Sequence, residues 1–303
     1  MPHKIQVLLS TYNGTQFISQ QLESILSQSC QPALISIRDD ASSDKTYKLV
    51  TEYAAAHSNI KAVRGERLGP ARSFLELLRG ADSDCDYFAF ADQDDVWMPA
   101  KLENALSMFV PRSSSEPVLY CSRLEYVDAQ LGHRGYSKTP TQVGFANALV
   151  ENVAMGCTVV LNREARRIII ERLPARALMH DWWCYLVISA FGRVIYDERS
   201  GLKYRLHGRN AVGAPTNVVQ QITRRLVRFL KHDGALKLTD QALNFFQCFG
   251  ALLNERELNI LQRFLAVRGK LWSRLIYSAQ MDVWRQSRID TAILRAMILA
   301  GRV

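Results

Sequence analysis

The densest group of chemically competent side chains in this 303-residue chain is the segment Asp92-Gln93-Asp94-Asp95. Three carboxylates within four residues repel one another unless a positive charge lies among them. Mg²⁺ and Mn²⁺ suit such oxygen ligands, and they often use one or two carboxylates and complete their shell with water and substrate phosphates. Since the segment directly follows an apolar run, we expect a divalent cation at Asp94 and Asp92. A solvated acidic turn is the alternative.

A second acidic pair, Asp39-Asp40, ends another short apolar segment. A carboxylate at the end of a strand is placed to accept hydrogen bonds from a nucleobase or a ribose. The alternative is a turn that leads into a helix, because Asp-Ala-Ser-Ser-Asp is favourable turn sequence. The pair therefore predicts either a ligand contact or a structural turn.

The segment His180-Asp181-Trp182-Trp183 offers one carboxylate among aromatic side chains. A partly desolvated aspartate is suited to act as a general base, so Asp181 is the candidate catalytic residue. The alternative is an aspartate that opens the helix predicted for residues 181–191, with both tryptophans in the core.

Basic and metal-competent side chains gather in residues 204–210. Arg205 and Arg209 are candidates to hold a diphosphate, because guanidinium groups bind phosphate oxygens in pairs. His207 is a candidate metal ligand, with a structural histidine as the alternative. Arg72 is a further candidate phosphate contact, and a solvent-exposed arginine without a ligand is the alternative.

The elements that must position these residues are predicted from hydrophobic periodicity. Segments with apolar side chains at helical spacing separate short apolar runs that end in turn residues. This alternation predicts an α/β fold with a mainly parallel, Rossmann-like sheet that has helices on both faces. Ligands bind such sheets beyond the carboxyl ends of the strands. The predicted strands are residues 4–10, 34–38, 60–63 and 86–91.

The composition excludes several classes of protein. Hydrophobic residues make up 48% and charged residues 22%, which is typical of a globular chain. The sequence has no eighteen-residue apolar run and no signal-peptide pattern at its start, so we expect a cytoplasmic protein. Six scattered cysteines without a CxxC pair argue against a zinc site. P-loop, dinucleotide-binding, zincin and serine-hydrolase motifs are absent.

The net charge of +9 lies almost entirely in the last part of the chain. Residues 215–303 hold fourteen basic and six acidic residues, and their pattern is helical. We therefore predict two regions: residues 1–214 as an α/β domain, and residues 215–303 as a basic helical region. Such a charge asymmetry points to an anionic partner, either a membrane surface or a nucleic acid. An apolar stripe at Leu226–Leu230 favours a membrane, and a solvated helical appendage is the alternative.

Five motifs in order resemble family-2 glycosyltransferases with the GT-A fold. They are VLLSTYNGTQFISQQLESILSQS, IRDDASSDKT, FADQDDVW, HDWW and YRLHGRNAVG. The combination of DQDDVW with HDWW and YRLHGRN is most similar to a rhamnosyltransferase-like branch that uses dTDP-L-rhamnose. The resemblance covers roughly residues 4–213. It implies an inverting transferase that needs Mg²⁺ or Mn²⁺ and a nucleotide-sugar donor.

The resemblance also implies roles for individual residues. Tyr12 and Asp40 would flank the nucleobase, Asp92 would face the ribose, Asp94 would hold the metal on the diphosphate, and Asp181 would be the catalytic base. His207 would add a metal or diphosphate contact, and Asp95 a donor or acceptor contact. The expected donor-binding set is Thr11, Tyr12, Asn13, Asp40, Arg72, Asp92, Gln93, Asp95, Arg205 and Arg209. Where many members have VDDGS this chain has RDDAS, so Arg38 is expected to alter the end of its strand.

The resemblance further implies a bacterial cell-surface glycan as acceptor, such as a lipopolysaccharide core or an O-antigen. The enzyme would then work in the cytoplasm, peripherally on the inner face of the cytoplasmic membrane. One alternative is transfer of another sugar from a UDP-hexose on the same fold. An alternative from another class is a basic nucleic-acid-binding protein. That alternative gives no role to the acidic segment 92–95, so no nucleic acid is expected as partner.

Overall fold

The computed structural model describes residues 3–109, 115–206 and 237–303. The strands are β1 (Ile5–Thr11), β2 (Leu34–Asp39), β3 (Ile60–Arg64), β4 (Tyr87–Ala91), β5 (Val96–Trp97), β6 (Val118–Val127), β7 (His133–Tyr136), β8 (Val160–Asn162) and β9 (Arg193–Arg205). The helices are α1 (Ile18–Leu26), α2 (Thr46–Ala56), α3 (Pro70–Arg79), α4 (Lys101–Met108), α5 (Phe145–Ala148), α6 (Arg163–Glu171), α7 (His180–Phe191), α8 (Leu238–Phe249), α9 (Glu255–Leu265), α10 (Leu271–Ala279) and α11 (Arg288–Leu299).

The first half of the sheet is a parallel array in the order β3-β2-β1-β4. A helix follows each of β1, β2 and β3 in the chain, which is the connection that parallel neighbours require. The strands β1, β2 and β4 end at Thr11, Asp39 and Ala91. Because parallel strands end at one edge of the sheet, the polar segments that follow these residues meet there.

The second half of the sheet mixes strand directions. β8 pairs antiparallel with β4 and β6, whereas β6 and β9 form a long parallel pair. The two-residue strand β5 pairs antiparallel with β9, with Val96 opposite Lys203. Most of the paired residues in the sheet are parallel, which confirms the predicted class. The β5–β9 pairing carries Arg205 to the acidic segment 92–95.

Side chains of the inner strands enter two hydrophobic cores alternately, as the period of a strand requires. Phe88 and Phe90 of β4 face one core, and Ala89 and Ala91 face the other. The helices α3, α6 and α7 cover the first core, and α1, α2 and α4 cover the second. The predicted arrangement of helices on both faces is therefore confirmed.

The chain after residue 237 is helical, as predicted, and it extends the first core. The rings of Phe245 and Phe249 in α8 lie 6.0 and 6.3 Å from the ring of Trp183 in α7. The predicted boundary at residue 214 and the stripe at 226–230 lie outside the described residues. Within the described ranges, no helix has both the length and the hydropathy needed to span a membrane.

Candidate active site

The loop after β1 is tied to the acidic segment by one side chain. The backbone N–H of Tyr12 donates to Oε1 of Gln93 at 2.8 Å, and Nε2 of Gln93 donates to the carbonyl of Tyr12 at 3.0 Å. A Cβ at Gly14 would lie 2.2 Å from the same Oε1, so glycine lets the two segments approach. The side chain of Gln93 therefore joins β1 to the end of β4, and its predicted contact with donor stays a prediction.

The ring of Tyr12 offers an aromatic surface at this edge. The residue is 36% exposed, and the guanidinium of Arg67 lies 4.4 Å from the ring centre. The next residue, Asn13, adopts φ 48°, and its Oδ1 accepts a hydrogen bond from the Ser43 backbone at 2.9 Å. A cation and an exposed ring held this way suit the stacking of a planar base.

The two carboxylates that end β2 are buried, and both are engaged by neighbouring donors. Asp39 accepts from the Ser42 N–H at 2.9 Å, the Ser42 hydroxyl at 2.5 Å and the Thr11 hydroxyl at 3.0 Å. Asp40 accepts the N–H groups of Leu68 and Gly69, each at 2.8 Å. Thr11, a predicted site residue, thus holds Asp39, and Asp40 fixes the loop before α3.

Arg38 completes this arrangement from inside the strand. Its guanidinium pairs with Asp40 at 2.5 Å and donates to the carbonyl of Glu66 at 2.7 Å and to the hydroxyl of Ser73 at 3.0 Å. The residue is only 8% exposed. Arg38 therefore binds the end of β2 to the loop that leads into α3. Asp40 already forms an ion pair with Arg38, and its contact with a nucleobase stays a prediction.

The acidic segment after β4 has the opposite character. Asp92 is partly buried, and burial raises its pKa to about 7, with further contributions from the charges of Asp94 and Asp181. Burial also raises the pKa of Asp95 well above its usual range, and the charges of Asp94 and Asp92 add to the effect. The fold thus concentrates negative charge from two distant segments of the chain at one edge of the sheet.

The residues at this point fit a hard divalent cation. Ligand atoms of Asp92, Asp95 and Cys157 lie within 4.8 Å of one another. Burial raises the pKa of the Cys157 thiol well above its usual range, so the thiol stays neutral and the carboxylates provide the charge. Oxygen ligands of this kind are those that Mg²⁺ and Mn²⁺ prefer.

Asp95 lies beneath the acidic segment, in the protein interior. One of its oxygens accepts the Arg205 N–H at 3.4 Å, and its Oδ2 has no hydrogen-bond partner among the described residues. The Lys101 amino group, 3.5 Å from the ring centre of Trp97, is also buried, and burial lowers its pKa to about 7. Asp95 thus supports the segment from inside, and its predicted donor or acceptor contact stays a prediction.

The candidate base Asp181 lies in the first turn of α7 and is 5% exposed. Its Oδ2 accepts the N–H of Gly156 at 2.7 Å, and its Oδ1 accepts the N–H of Trp182 at 2.6 Å. Burial raises the pKa of Asp181 to about 6, although these hydrogen bonds oppose the rise. The carboxylate is therefore ionised at neutral pH and is more basic than an ordinary aspartate, as a general base should be.

His180 packs directly behind the base. Its ring stacks on Phe74 with centres 4.0 Å apart and meets Phe90 edge-on at 4.9 Å. Burial lowers the pKa of His180 to about 3, so the ring is neutral. A Cβ at Gly156 would lie 2.8 Å from Nε2 of His180 and 3.3 Å from Oδ2 of Asp181. Because Gly156 has no side chain, its backbone can approach both the neutral His180 ring and the Asp181 carboxylate.

The arginines predicted to hold a diphosphate lie in different environments. Arg205 is 1% exposed and donates to the carbonyls of Asp94 at 3.0 Å and Ala129 at 2.6 Å, and to Oε1 of Gln20 at 2.6 Å. It therefore supports the acidic segment from behind, and its diphosphate contact stays a prediction. Arg72 is exposed in the first turn of α3 and lines a groove of about 290 Å³. His207 and Arg209 lie outside the described residues.

Sequence reasoning missed several residues of this site. Gly156 and Cys157 carry no motif, and a 3₁₀ turn about 25 residues before α7 brings them to the carboxylates. Lys101 reads as an ordinary surface residue of α4, yet it is buried. Arg67 lies in a loop without periodicity. Only Arg38 gave a signal, as a basic residue inside an apolar strand.

Known proteins resemble this chain in sequence. Residues 6–115 match the family described as Glycosyl transferase family 2. The chain is similar to the dTDP-rhamnosyl transferase RfbG of Shigella flexneri, with 30% identity over 223 residues that cover 68% of this chain and 74% of that protein.

Solved structures show a common fold. TarS 1-349 of S. aureus in complex with UDP-GlcNAc matches with a TM-score of 0.57 and 15% identity, over 99% of this chain and 88% of that one. A mannosyltransferase from Pyrobaculum calidifontis in complex with GDP-Man and Mn²⁺ matches with a TM-score of 0.52 and 20% identity, over the same fractions.

Proposed function

This chain belongs to glycosyltransferase family 2 and has the GT-A fold, and we propose that it transfers L-rhamnose from dTDP-L-rhamnose with inversion, using a divalent metal. The observation that carries the proposal is the convergence of Asp92, Asp94 and Asp181 at the carboxyl edge of the sheet. Asp92 and Asp94 suit a metal ion, Asp181 suits proton transfer, and Asp92 lies close enough to the other two for their charges to raise its pKa. The proposed transfer needs both a metal site and a base.

We assign metal binding to Asp94 and Asp92, whose oxygens form the more accessible part of the acidic segment. A bound Mg²⁺ or Mn²⁺ would supply positive charge to the departing nucleoside diphosphate. The Mn²⁺ complex of the Pyrobaculum mannosyltransferase supports this assignment. The buried groups Asp95, Lys101 and Arg205 keep the segment in place from behind. His207 remains a proposed additional ligand.

Asp181 acts as the general base in this proposal. Its carboxylate takes the proton from the acceptor hydroxyl, whose oxygen attacks the anomeric carbon as the bond from that carbon to the diphosphate oxygen breaks. Both oxygens of Asp181 accept backbone N–H groups, which hold the carboxylate in place. Attack from the side opposite the diphosphate gives inversion in a single displacement, with a transition state that resembles an oxocarbenium ion.

The nucleotide site is proposed to lie between Tyr12 and Asp40. The exposed ring of Tyr12, with Arg67 above it, offers the base a stacking surface. Asp40 accepts one hydrogen bond on Oδ2, from Gly69, and so keeps an acceptor position there. Asn13 and Gln93 hold the loop that carries the ring.

The similarity to a dTDP-rhamnosyl transferase supports rhamnose as the sugar. Transfer from a UDP-hexose is the second candidate, and the UDP-GlcNAc complex of TarS favours it. The two candidates differ in the nucleotide and in the sugar, so a binding assay separates them.

A thermal-shift screen with Mn²⁺ tests the donor directly, because a ligand that binds only the folded state raises the melting temperature. The panel contains dTDP, dTDP-L-rhamnose, UDP, UDP-glucose, UDP-galactose and UDP-GlcNAc. The proposal expects the largest shift with dTDP-L-rhamnose. A larger shift with a UDP-sugar would replace rhamnose by that sugar and leave the transferase assignment intact.

The acceptor is proposed to be a bacterial cell-surface glycan, assembled on a carrier at the inner face of the cytoplasmic membrane. The similarity to RfbG supports this class of acceptor only indirectly, through the sugar. The positive charge of residues 215–303 supports contact with an anionic lipid surface.

A further inference from the structure

The helix α10 turns an apolar face to solvent. Five of its nine residues are exposed, and four of these are large apolar residues that lie one, three and four positions apart on a single side of the helix. The exposed fractions are 57% for Leu271, 74% for Trp272, 41% for Leu275 and 69% for Ile276. We call these four residues the α10 face.

The opposite side of the same helix anchors it to the protein. Tyr277 is 4% exposed and Ser278 7%, and the ring of Tyr277 lies 6.2 Å from that of Phe264 in α9. The exposure of the α10 face is therefore not caused by a helix that has come loose. Single exposed apolar residues are ordinary on protein surfaces, but a contiguous group that includes a tryptophan marks an interaction site.

The charges around the α10 face are basic. The helix contains no acidic residue, Lys270 precedes it, and Arg274 lies within it. Exposed Arg288 and Ile289 begin α11, which packs against α10. Lys270 and Arg288 have no ion pair with any described residue.

Two acidic groups in this region pair with arginines. Asp282 pairs with Arg263 at 3.0 Å, and Asp240 pairs with Arg268 at 2.6 Å. At the edge of the α10 face, the basic residues Lys270, Arg274 and Arg288 therefore outnumber Asp290, the acidic residue in the first turn of α11.

We propose that the α10 face is the docking surface of this protein for an anionic lipid bilayer. An amphipathic helix with tryptophan, leucine and isoleucine on one side and basic residues at its edge inserts into the headgroup region parallel to the bilayer. A helix of nine residues is far too short to span the bilayer, so the contact is peripheral.

A second copy of the chain fits this surface less well. A two-fold interface brings the same patch of both subunits together, so Lys270 and Arg288 of both copies would gather in one interface and double its positive charge. An anionic headgroup layer instead offers opposite charge around the apolar centre. The inference does not depend on the proposed chemistry, and it identifies a surface that differs from the stripe at 226–230.

Sedimentation of the full-length protein with vesicles tests the proposal. Vesicles that contain phosphatidylglycerol are compared with vesicles of phosphatidylcholine alone. The double variant Trp272→Gln/Ile276→Gln should lower partitioning onto the anionic vesicles by about a hundredfold, because two inserted side chains are lost. The variant Lys270→Gln/Arg288→Gln should lower it by about tenfold.

The matched control is Val63→Gln/Tyr136→Gln, which removes two exposed apolar residues elsewhere, 57% and 49% exposed. This control should bind vesicles like the wild type. Hydrolysis of the donor in solution should be unchanged in all variants, so a failure of docking is distinguished from a failure of the proposed chemistry. Equal vesicle binding by wild type and Trp272→Gln/Ile276→Gln would overturn the proposal. So would a wild-type dimer that this variant converts to a monomer without any change in vesicle binding.

Discussion

Two pairs of adjacent aspartates lie at the carboxyl edge of the sheet, one after β2 and one in the segment between β4 and β5, and the structure treats them in opposite ways. Asp39 and Asp40 are enclosed by hydroxyl groups, backbone N–H groups and the guanidinium of Arg38. Asp94 and Asp95 follow Asp92 in a segment where carboxylates face one another and Asp181 adds a fourth charge. The donors around the first pair come from the protein itself, whereas burial and neighbouring carboxylates raise the pKa values of Asp92 and Asp95 in the second segment.

This difference shows how a structural carboxylate can be distinguished from a candidate functional one. Both kinds lie at the carboxyl edge of the same sheet. Donors surround the structural carboxylates and tie the end of β2 to the loops around it. In the segment 92–95, burial and the charges of Asp94 and Asp181 raise the pKa of Asp92 to about 7, which makes its charge costly until a cation or a proton arrives.

The largest effect is expected for Asp181→Asn, which keeps the shape of the base and removes its basicity. Transfer should fall by about 100- to 10,000-fold, because general-base catalysis contributes that much. Binding of the nucleoside diphosphate, measured by calorimetry, should stay close to that of the wild type. The control is Asp84→Asn, an exposed residue near the amino end of β4 that should leave the rate unchanged. A near wild-type rate for Asp181→Asn would mean that another group takes the proton.

Removal of a carboxylate from the pair Asp39-Asp40 should lower the stability of the folded protein. Asp39→Asn replaces a carboxylate oxygen that accepts hydroxyl and N–H donors with an NH₂ group that cannot accept. We expect a loss of about 2 kcal/mol in the free energy of unfolding, measured in urea. The matched variant Asp86→Asn, which weakens a surface ion pair with Arg163, should lose less than about 1 kcal/mol. Equal losses for both variants would mean that the donors around Asp39 stabilise the fold no more than an exposed ion pair does.

Removal of the Asp92 carboxylate from the segment 92–95 should instead stabilise the folded protein. The pKa of Asp92 is raised in the folded state, so the folded protein binds its proton more tightly, and this contribution to stability is lost as the pH rises through about 7. Without metal, Asp92→Asn should therefore raise the free energy of unfolding by about 1 to 2 kcal/mol at pH of about 8, and by much less at pH of about 4. Urea titrations at both values measure this change. Destabilisation by Asp92→Asn at the higher pH would show that its charge is already compensated.

The sequence predicted the first half of the sheet, because there the local hydrophobic pattern is enough to place each strand and the residues that follow it. The strands β1 to β4 are apolar runs with turn residues at their ends, so their carboxyl edge, and with it Asp40, Asp92 and Asp94, followed from periodicity alone. The family resemblance added Asp181, which no local pattern separates from a residue that opens a helix. The family and fold that it implied are confirmed.

The remaining features depend on pairings between distant segments. Nothing near Arg205 in the sequence states that β9 pairs with β5 and carries this side chain beneath Asp94. Likewise, the role of Gly156 appears only once α7 packs beside its turn and leaves no room for a Cβ. Such contacts arise from the folding of the whole chain, so residue type and spacing cannot reveal them.

The central claim is that the segment 92–95 is built to receive a divalent cation. Calorimetric titration of dTDP into the wild type and into Asp94→Ala, each with and without Mn²⁺, tests it most directly. The account predicts that Mn²⁺ strengthens binding of dTDP to the wild type by about tenfold or more and has no effect on Asp94→Ala. Equal enhancement by Mn²⁺ in both proteins would contradict the account, because the cation would then bind elsewhere.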